Sequence, residues 1–284
     1  MVRVVGTDPG TSSLDLLMLE DGVLAQQARL SPETLRNEPG RLAALLRSWE
    51  PIDLVAGPSG YGLPLVRADE FQEAHLELVS LVRAEDRHKE TGVVGFRAWV
   101  RSLVASTLPV VFLPGGIHLP TIPAHRKVNA IDMGTADKVA VAALALRAHA
   151  ERFGVGYSDS TFAVVELGSA FSAVLVVDRG RIVDASAGTR GPIGLRSSGA
   201  WDGETAYWRS PLAKDDLFRG GLLDLGEVGP AAFRESLTKH VAALRAVTPF
   251  DHIYLSGSAA EQPDVAALAG AALAGRGTTA PLPA

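Results

Sequence analysis

Near the amino terminus, Asp8-Pro9-Gly10-Thr11-Ser12-Ser13 sets a carboxylate, a glycine and a run of hydroxyls directly after a short apolar strand. Successive backbone N–H groups in such a turn, helped by the Thr and Ser hydroxyls, make a concave nest for phosphate oxygens that needs no lysine. Asp8 adds a requirement. A carboxylate and a phosphate repel in a dry site, so the pair calls for a divalent cation between them, and hydrated Mg2+ suits these oxygen donors best. Taken alone, the same string is also ordinary turn chemistry between two hairpin strands, and that reading stays open.

The pattern returns at Val164-Val165-Glu166-Leu167-Gly168-Ser169. In each half a strand ends in a carboxylate, glycine and hydroxyl residues, a second strand follows, and an Asp-containing turn (Asp21-Gly22, then Asp178-Arg179-Gly180) leads into a third. Recurrence of so many features in order marks a duplicated unit. Two phosphate-type loops on one chain imply one nucleotide held between two halves, with Gly10, Thr11 and Ser12 on one side and Glu166, Gly168 and Ser169 on the other.

The elements that must position these loops agree with a duplication. At 284 residues and 47% hydrophobic the chain can bury a large core, and two domains are the natural count. A net charge of −5 argues against a nucleic-acid partner. The absence of Cys excludes disulfides, thiolate zinc and iron–sulfur sites and fits a reducing compartment. No basic-then-apolar leader opens the chain and no apolar run reaches about 18 residues, so a cytoplasmic protein with no membrane partner is expected.

Strands are expected at about 2–7, 14–20 and 23–30, then a helix over 34–49 introduced by Ser31-Pro32-Glu33. A strand at 52–56 ends in Gly57-Pro58-Ser59-Gly60-Tyr61-Gly62, a loop too glycine-rich for mere connection; Ser59, Gly60 and Tyr61 are read as substrate-facing. An amphipathic helix over 69–83, a solvated charged patch over 83–90, a helix ending near 106 and a strand at 110–113 close the first half. A helix over 136–153 links the halves. Beyond the second meander come an irregular excursion over 188–214, a helix at 231–247, a strand at 253–255, a helix at 264–274 and a tail from 275 expected to fray. The expected domains are 1–134 and 135–284.

This order resembles the acetate and sugar kinase, Hsp70 and actin superfamily over nearly the whole chain. Asp8-Pro9-Gly10-Thr11-Ser12 is similar to its first phosphate motif and Glu166-Leu167-Gly168-Ser169 to its second. Tyr254-Leu255-Ser256-Gly257-Ser258-Ala259 is similar to its adenosine motif, which places Gly257 and Ser258 at the nucleoside. The resemblance implies an α/β fold of duplicated ribonuclease H-like (actin-like ATPase) domains, with mixed five-stranded sheets, flanking helices and an interdomain cleft, using ATP and Mg2+. It also implies a homodimer, since related acyl kinases commonly pair.

Within the superfamily the chain looks most like acetate and butyrate kinases, in particular a predicted butyrate kinase-like group. Met133-Gly134-Thr135-Ala136-Asp137-Lys138 resembles the His-Gly-Thr-Ser-His-Lys segment heading the acetate kinase linking helix, and Arg126-Lys127 resembles an Arg-Lys pair of butyrate kinases. Gly191-Pro192 through Arg196-Ser197-Ser198-Gly199 resembles the Gly-Pro and Arg-Ser-Gly elements after the second phosphate motif. The chain departs from the pattern where it matters. The histidine that assists the phosphoryl group falls on Met133, which neither donates a hydrogen bond nor carries charge. The acidic residue after the fifth strand is replaced by Leu113-Pro114-Gly115-Gly116.

Asp132, beside the lost histidine, is the nearest substitute as a base or metal holder. A carboxylate acceptor needs its charge and the phosphoryl charge neutralised, which Arg126, Lys127 and Arg196 favour; a hydroxyl acceptor needs a base, which Asp132 favours. Plainer roles stay beside these: Asp132 and Asp137 could serve the positive end of the following helix, and Arg196 could be solvated. His118 and His125 lack the company of a metal site, Ser59 lacks the Gly-x-Ser-x-Gly spacing, the four Trp accompany no basic stripe, and no Gly-x-x-x-x-Gly-Lys-Ser/Thr string exists. Two classes remain: a Mg2+- and ATP-dependent kinase of a small-molecule acceptor, and a nucleotide-dependent conformational module with no such acceptor.

Overall fold

Leu14, Leu16 and Met18 alternate with more exposed neighbours, so one face of their strand enters a core while the other does not. The equivalent strands of the second half, Phe162–Leu167 and Ser172–Asp178, are buried at nearly every position and read as continuous apolar runs because helices cover both of their faces. The computed structural model describes residues 1–10, 13–38, 40–57, 60–61, 63–86 and 96–282. It divides into two compact units, Met1–His118 and Leu119–Ala284.

The first unit runs β1 (Arg3–Pro9), β2 (Leu14–Glu20), β3 (Val23–Leu30), α1 (Pro32–Asn37), α2 (Arg41–Ser48), β4 (Leu54–Gly57), β5 (Val66–Arg67), α3 (Glu73–Ser80), α4 (Phe96–Val104) and β6 (Val110–Phe112). Its six-stranded sheet has the order β3-β2-β1-β4-β6-β5. β1 is antiparallel to β2 and parallel to β4, which is parallel to β6. Val5, Leu16 and Met18 pack with Leu42 and Leu46 of α2 and Trp99 and Leu103 of α4. The expected helix over 34–49 is two helices, with Gly40 at the start of the second. The one expected over 69–83 is a 3-10 turn at Ala68–Glu70 followed by the shorter α3.

The second unit runs α5 (Ala136–Phe153), β7 (Phe162–Leu167), β8 (Ser172–Asp178), β9 (Arg181–Ser186), α6 (Gly203–Trp208), α7 (Gly229–Val247), β10 (His252–Ser256), α8 (Pro263–Leu273) and β11 (Thr278–Pro281). Its five-stranded sheet, β11-β10-β7-β8-β9, repeats the first unit's plan, with β7 antiparallel to β8 and parallel to β10. Phe233, Leu237 and Val241 of α7 and Val265 and Ala269 of α8 pack on Ala163, Val165, Val174 and Val176. His149 of α5 stacks on Phe162, whose side chain leaves the other face. The tail expected to fray is instead the edge strand β11, paired in parallel with β10.

The units part at 118/119, upstream of the expected 134/135, because the segment between is tied to the second sheet. The Thr121 hydroxyl donates to the Ile182 carbonyl at 2.6 Å and Arg126 Nη1 to the Val183 carbonyl at 2.8 Å, both on β9. Among the described residues no helix is long and apolar enough to cross a membrane.

Candidate functional site

In the first unit, β1 carries Asp8 near its end, exposed, and the Gly10 amide donates to the Ser13 carbonyl at 2.8 Å, closing the turn into β2. Asp8 lies directly across from Asp15 in the β1–β2 register. Opposed residues of an antiparallel pair share a face, so two carboxylates adjoin there, and Arg29 pairs with the Asp15 one. Thr11 and Ser12 lie outside the described residues, as does Ser59. Gly60, at φ +55, sits against α3: a Cβ there would overlap the Val79 carbonyl, which accepts the Tyr61 amide at 3.2 Å.

The second unit brings most of its expected residues together around one loop. Gly168 follows β7 and donates its amide to the Phe171 carbonyl at 3.0 Å, leaving Ser169 exposed at the tip. Three segments brace this turn. The Ala170 carbonyl accepts the amides of Arg196 at 3.1 Å and Ser197 at 3.0 Å. The Leu167 carbonyl accepts the Ala259 amide at 2.9 Å. Gly257, at φ +101, leans so close to Leu167 that any Cβ would collide with its backbone, which explains a glycine in the middle of the Ser256–Ser258 turn. Glu166, Gly168, Ser169, Gly257 and Ser258 therefore occupy one end of the second sheet. Arg196 is exposed beside them, its backbone fixed by Ala170 and by the Gly221 amide, and among the described residues its guanidinium makes no hydrogen bond or ion pair.

Beneath the loop lies a charged cluster. Lys138, in the first turn of α5, pairs with Asp137 and reaches Glu166 Oε2 at 3.3 Å. Burial alone would pull the Lys138 ammonium down, yet the Asp137 and Glu166 carboxylates outweigh it and raise its pKa. Burial likewise pushes Asp137 up, but Lys138 and the Thr135 hydroxyl more than reverse this and hold it low. Asp132, also buried, accepts the Gly134 amide at 2.8 Å, and its other oxygen lies against the Cα of Gly188. Desolvation pushes Asp132 to about 6, against the Gly134 hydrogen bond and the partial support of Lys138 and Lys214.

Arg126 is placed elsewhere. Its guanidinium serves the Val183 carbonyl, Asp184 at 3.5 Å and the Thr248 hydroxyl at 3.4 Å, so it fastens the segment leading to α5 onto β9 and the end of α7. Burial raises Asp184 and Arg126 offsets part of that rise. Lys127 donates to the Leu119 carbonyl at 2.8 Å. A cavity of about 570 Å3 lined by Thr121, Ser158, Asp178 and Arg181 belongs to the opposite, hairpin end of the second sheet.

Lys138 and Lys214 had drawn no role from the sequence. One signal was present for Lys138: a lysine in the first turn of a helix faces the positive end of the helix dipole and needs a carboxylate partner to sit there. Lys214 gave none, because its neighbour Asp132 is 82 positions away, the difference of the two residue numbers.

A family profile described as "Protein of unknown function (DUF1464)" matches residues 6–272. No curated protein matches the chain. Among solved structures it is similar to a propionate kinase from Francisella tularensis subsp. tularensis SCHU S4, at 15% identity and TM-score 0.66, covering 96% of this chain and 88% of that one. It is also similar to the acetate kinase of Entamoeba histolytica, at 12% identity and TM-score 0.63, covering 94% and 85%. A third likeness is to acetate kinase of Porphyromonas gingivalis, at 15% identity and TM-score 0.61, covering 95% and 86%. At such identities the likeness establishes the fold: two mixed α/β sheets with helices, in the actin-like ATPase manner.

Proposed function

The chain belongs to the DUF1464 family, and we propose that it is an ATP- and Mg2+-dependent kinase of a small-molecule acceptor, forming an acyl phosphate on a carboxylate. The observation that carries this reading is the braced turn Gly168–Ala170: a strand end whose hydroxyl and glycine tip is held by the adenosine-type turn and by the segment bearing the exposed Arg196. Rigid placement of donors is what phosphoryl transfer asks of a protein, since positioning and charge stabilisation supply most of its rate.

The residues fit the two groups. Ser198 Oγ is buried with no hydrogen-bond partner among the described residues, one position beyond the amide that holds Ala170, and a phosphate oxygen would satisfy it. Asp8 is an exposed hard-oxygen donor adjoining a second carboxylate, which suits a hydrated divalent cation. ATP supplies the transferable phosphoryl group and Mg2+ spreads its charge. Asp8 would hold the metal; Ser169 and Ser258 would orient phosphate and nucleoside; Arg196 would neutralise the acceptor carboxylate. Arg126 and Lys127, engaged with backbone carbonyls, leave Arg196 as the cation for that task.

A second reading, a hydroxyl acceptor, is favoured by Asp132, which at about 6 could take a proton near neutrality. The acceptors separate them: hydroxamate trapping detects acyl phosphate from short fatty acids and leaves phosphate esters unseen. The nucleotide assignment is tested by thermal shift with ATP, with and without Mg2+, on the parent and Asp8→Ala. The parent should gain several degrees with both ligands and Asp8→Ala little. An equal gain in both proteins, or none in either, removes the assignment.

A further inference from the structure

The structure assigns Lys138 a positioning role: with Glu166 it forms a strut from the head of α5 that sets the height of the Gly168–Ala170 turn. This rests on the kinase reading for its consequence in ATP binding, but the strut itself is a matter of geometry. Lys138 stands in the first turn of its helix, where a cation opposes the helix dipole, and only its two carboxylate neighbours make that place tenable. Of those, Asp137 is its chain neighbour and could be satisfied locally by the Thr135 hydroxyl. Glu166 is a different matter. It is the penultimate residue of β7, and its carboxylate folds back beneath the loop so closely that a Cβ on Gly168 would lie 3.3 Å from Oε1. Lys138 Nζ reaches the other oxygen, Oε2, at 3.3 Å. The helix head, the carboxylate and the loop glycine thus stand in line, each touching the next.

Gly134 completes the footing. At φ +95 it presents its bare Cα to the Lys138 Cβ and to Leu175 of β8, bringing the helix entry down onto the sheet. With its charge directed at Lys138, Glu166 would act on a phosphate through the loop it supports.

The variants are Lys138→Met, Lys138→Arg and the double Lys138→Met/Glu166→Gln, the last removing the buried carboxylate that the first would strand. Two measurements are made on the full chain: amide hydrogen exchange, and calorimetric binding of ATP with Mg2+. The strut predicts that exchange rises most at 167–171 and 257–259 in both Met variants, beyond the rise that any loss of global stability gives β8 and β9. It also predicts ATP affinity reduced by ten-fold or more in both and restored towards the parent by Lys138→Arg. Exchange that rises no more at 167–171 and 257–259 than over the rest of the second unit, or a double variant that binds ATP as the parent does, would overturn the assignment. If the parent binds no ATP, the kinase reading falls by itself, and the exchange pattern alone decides the strut.

Discussion

At the end of β1 the Asp8 carboxylate is exposed and faces a second carboxylate across the strand pair, whereas at the end of β7 the Glu166 carboxylate is buried and held by an ammonium from a helix. The two loops share one plan of strand, carboxylate, glycine and hydroxyl, yet they dispose of the negative charge in opposite ways. The two strand ends carry the same residue types, and packing decides which carboxylate stays at the surface and which is built into the fold. An exposed carboxylate can serve a ligand at little cost to folding; a buried one must be compensated within the protein.

The most forceful way to break this comparison is to remove the compensation. Lys138→Met leaves Glu166 buried, and Asp137 half-buried, without their cation and should destabilise the second unit by about 3–5 kcal/mol, the range for breaking a buried pair from one side. Arg29→Met, which breaks the exposed pair with Asp15 in the first unit, should barely register. Denaturant titrations of both variants check this. Similar losses in the two would mean that the loops are held alike.

A smaller effect sharpens the contrast within the second unit, where Asp132 is the buried acid without a full counter-charge. Its carboxyl titrates at about 6 instead of 3.8, so the folded state holds its proton over a range where the unfolded chain has released it. Folding stability from this group is therefore intact below about pH 4, declines as pH rises towards 6 and stays reduced above it, by up to roughly 3 kcal/mol. Asp132→Asn keeps an acceptor for the Gly134 amide and removes the charge. The variant should match the parent at pH 4 and exceed it at pH 8, by less than the full amount because Lys214 loses a favourable neighbour. The difference between parent and variant at each pH isolates Asp132 from the opposite trend of Asp137. No gain at pH 8 would place a compensating charge on Asp132 and erase its distinction from Glu166.

How far these contrasts were legible in the sequence depends on the range of the interaction. Both three-strand meanders and the helix over 136–153 followed from periodicity and turn residues, which act over a few positions. β11 did not, because four residues carry no period and its stability comes from pairing with β10. The split of the helix expected over 34–49 hung on Gly40, whose cost to a helix is small enough for context to decide. Candidate residues were legible as types but not as environments. Arg126 and Arg196 looked alike in the chain, and the fold engages one with β9 and leaves the other exposed. Glu166 was visible as a motif carboxylate, while the lysine that holds it lies 28 residues earlier by the difference of their numbers, at a distance that only the packing of α5 on the sheet sets.

The smallest expected effect belongs to Asp8. It is exposed and stands opposite Asp15, and directly opposed like charges on a sheet repel by about 0.2–1 kcal/mol. Arg29 already answers Asp15, which lowers that figure. Asp8→Asn, at an exposed position, should therefore leave stability within about 0.5 kcal/mol of the parent, with a difference that shrinks as salt screens the pair. Denaturant midpoints at low and high ionic strength measure it. A loss of about 2 kcal/mol or more would show Asp8 to be an anchor in the manner of Glu166, and the contrast between an exposed carboxylate and a buried one would no longer hold.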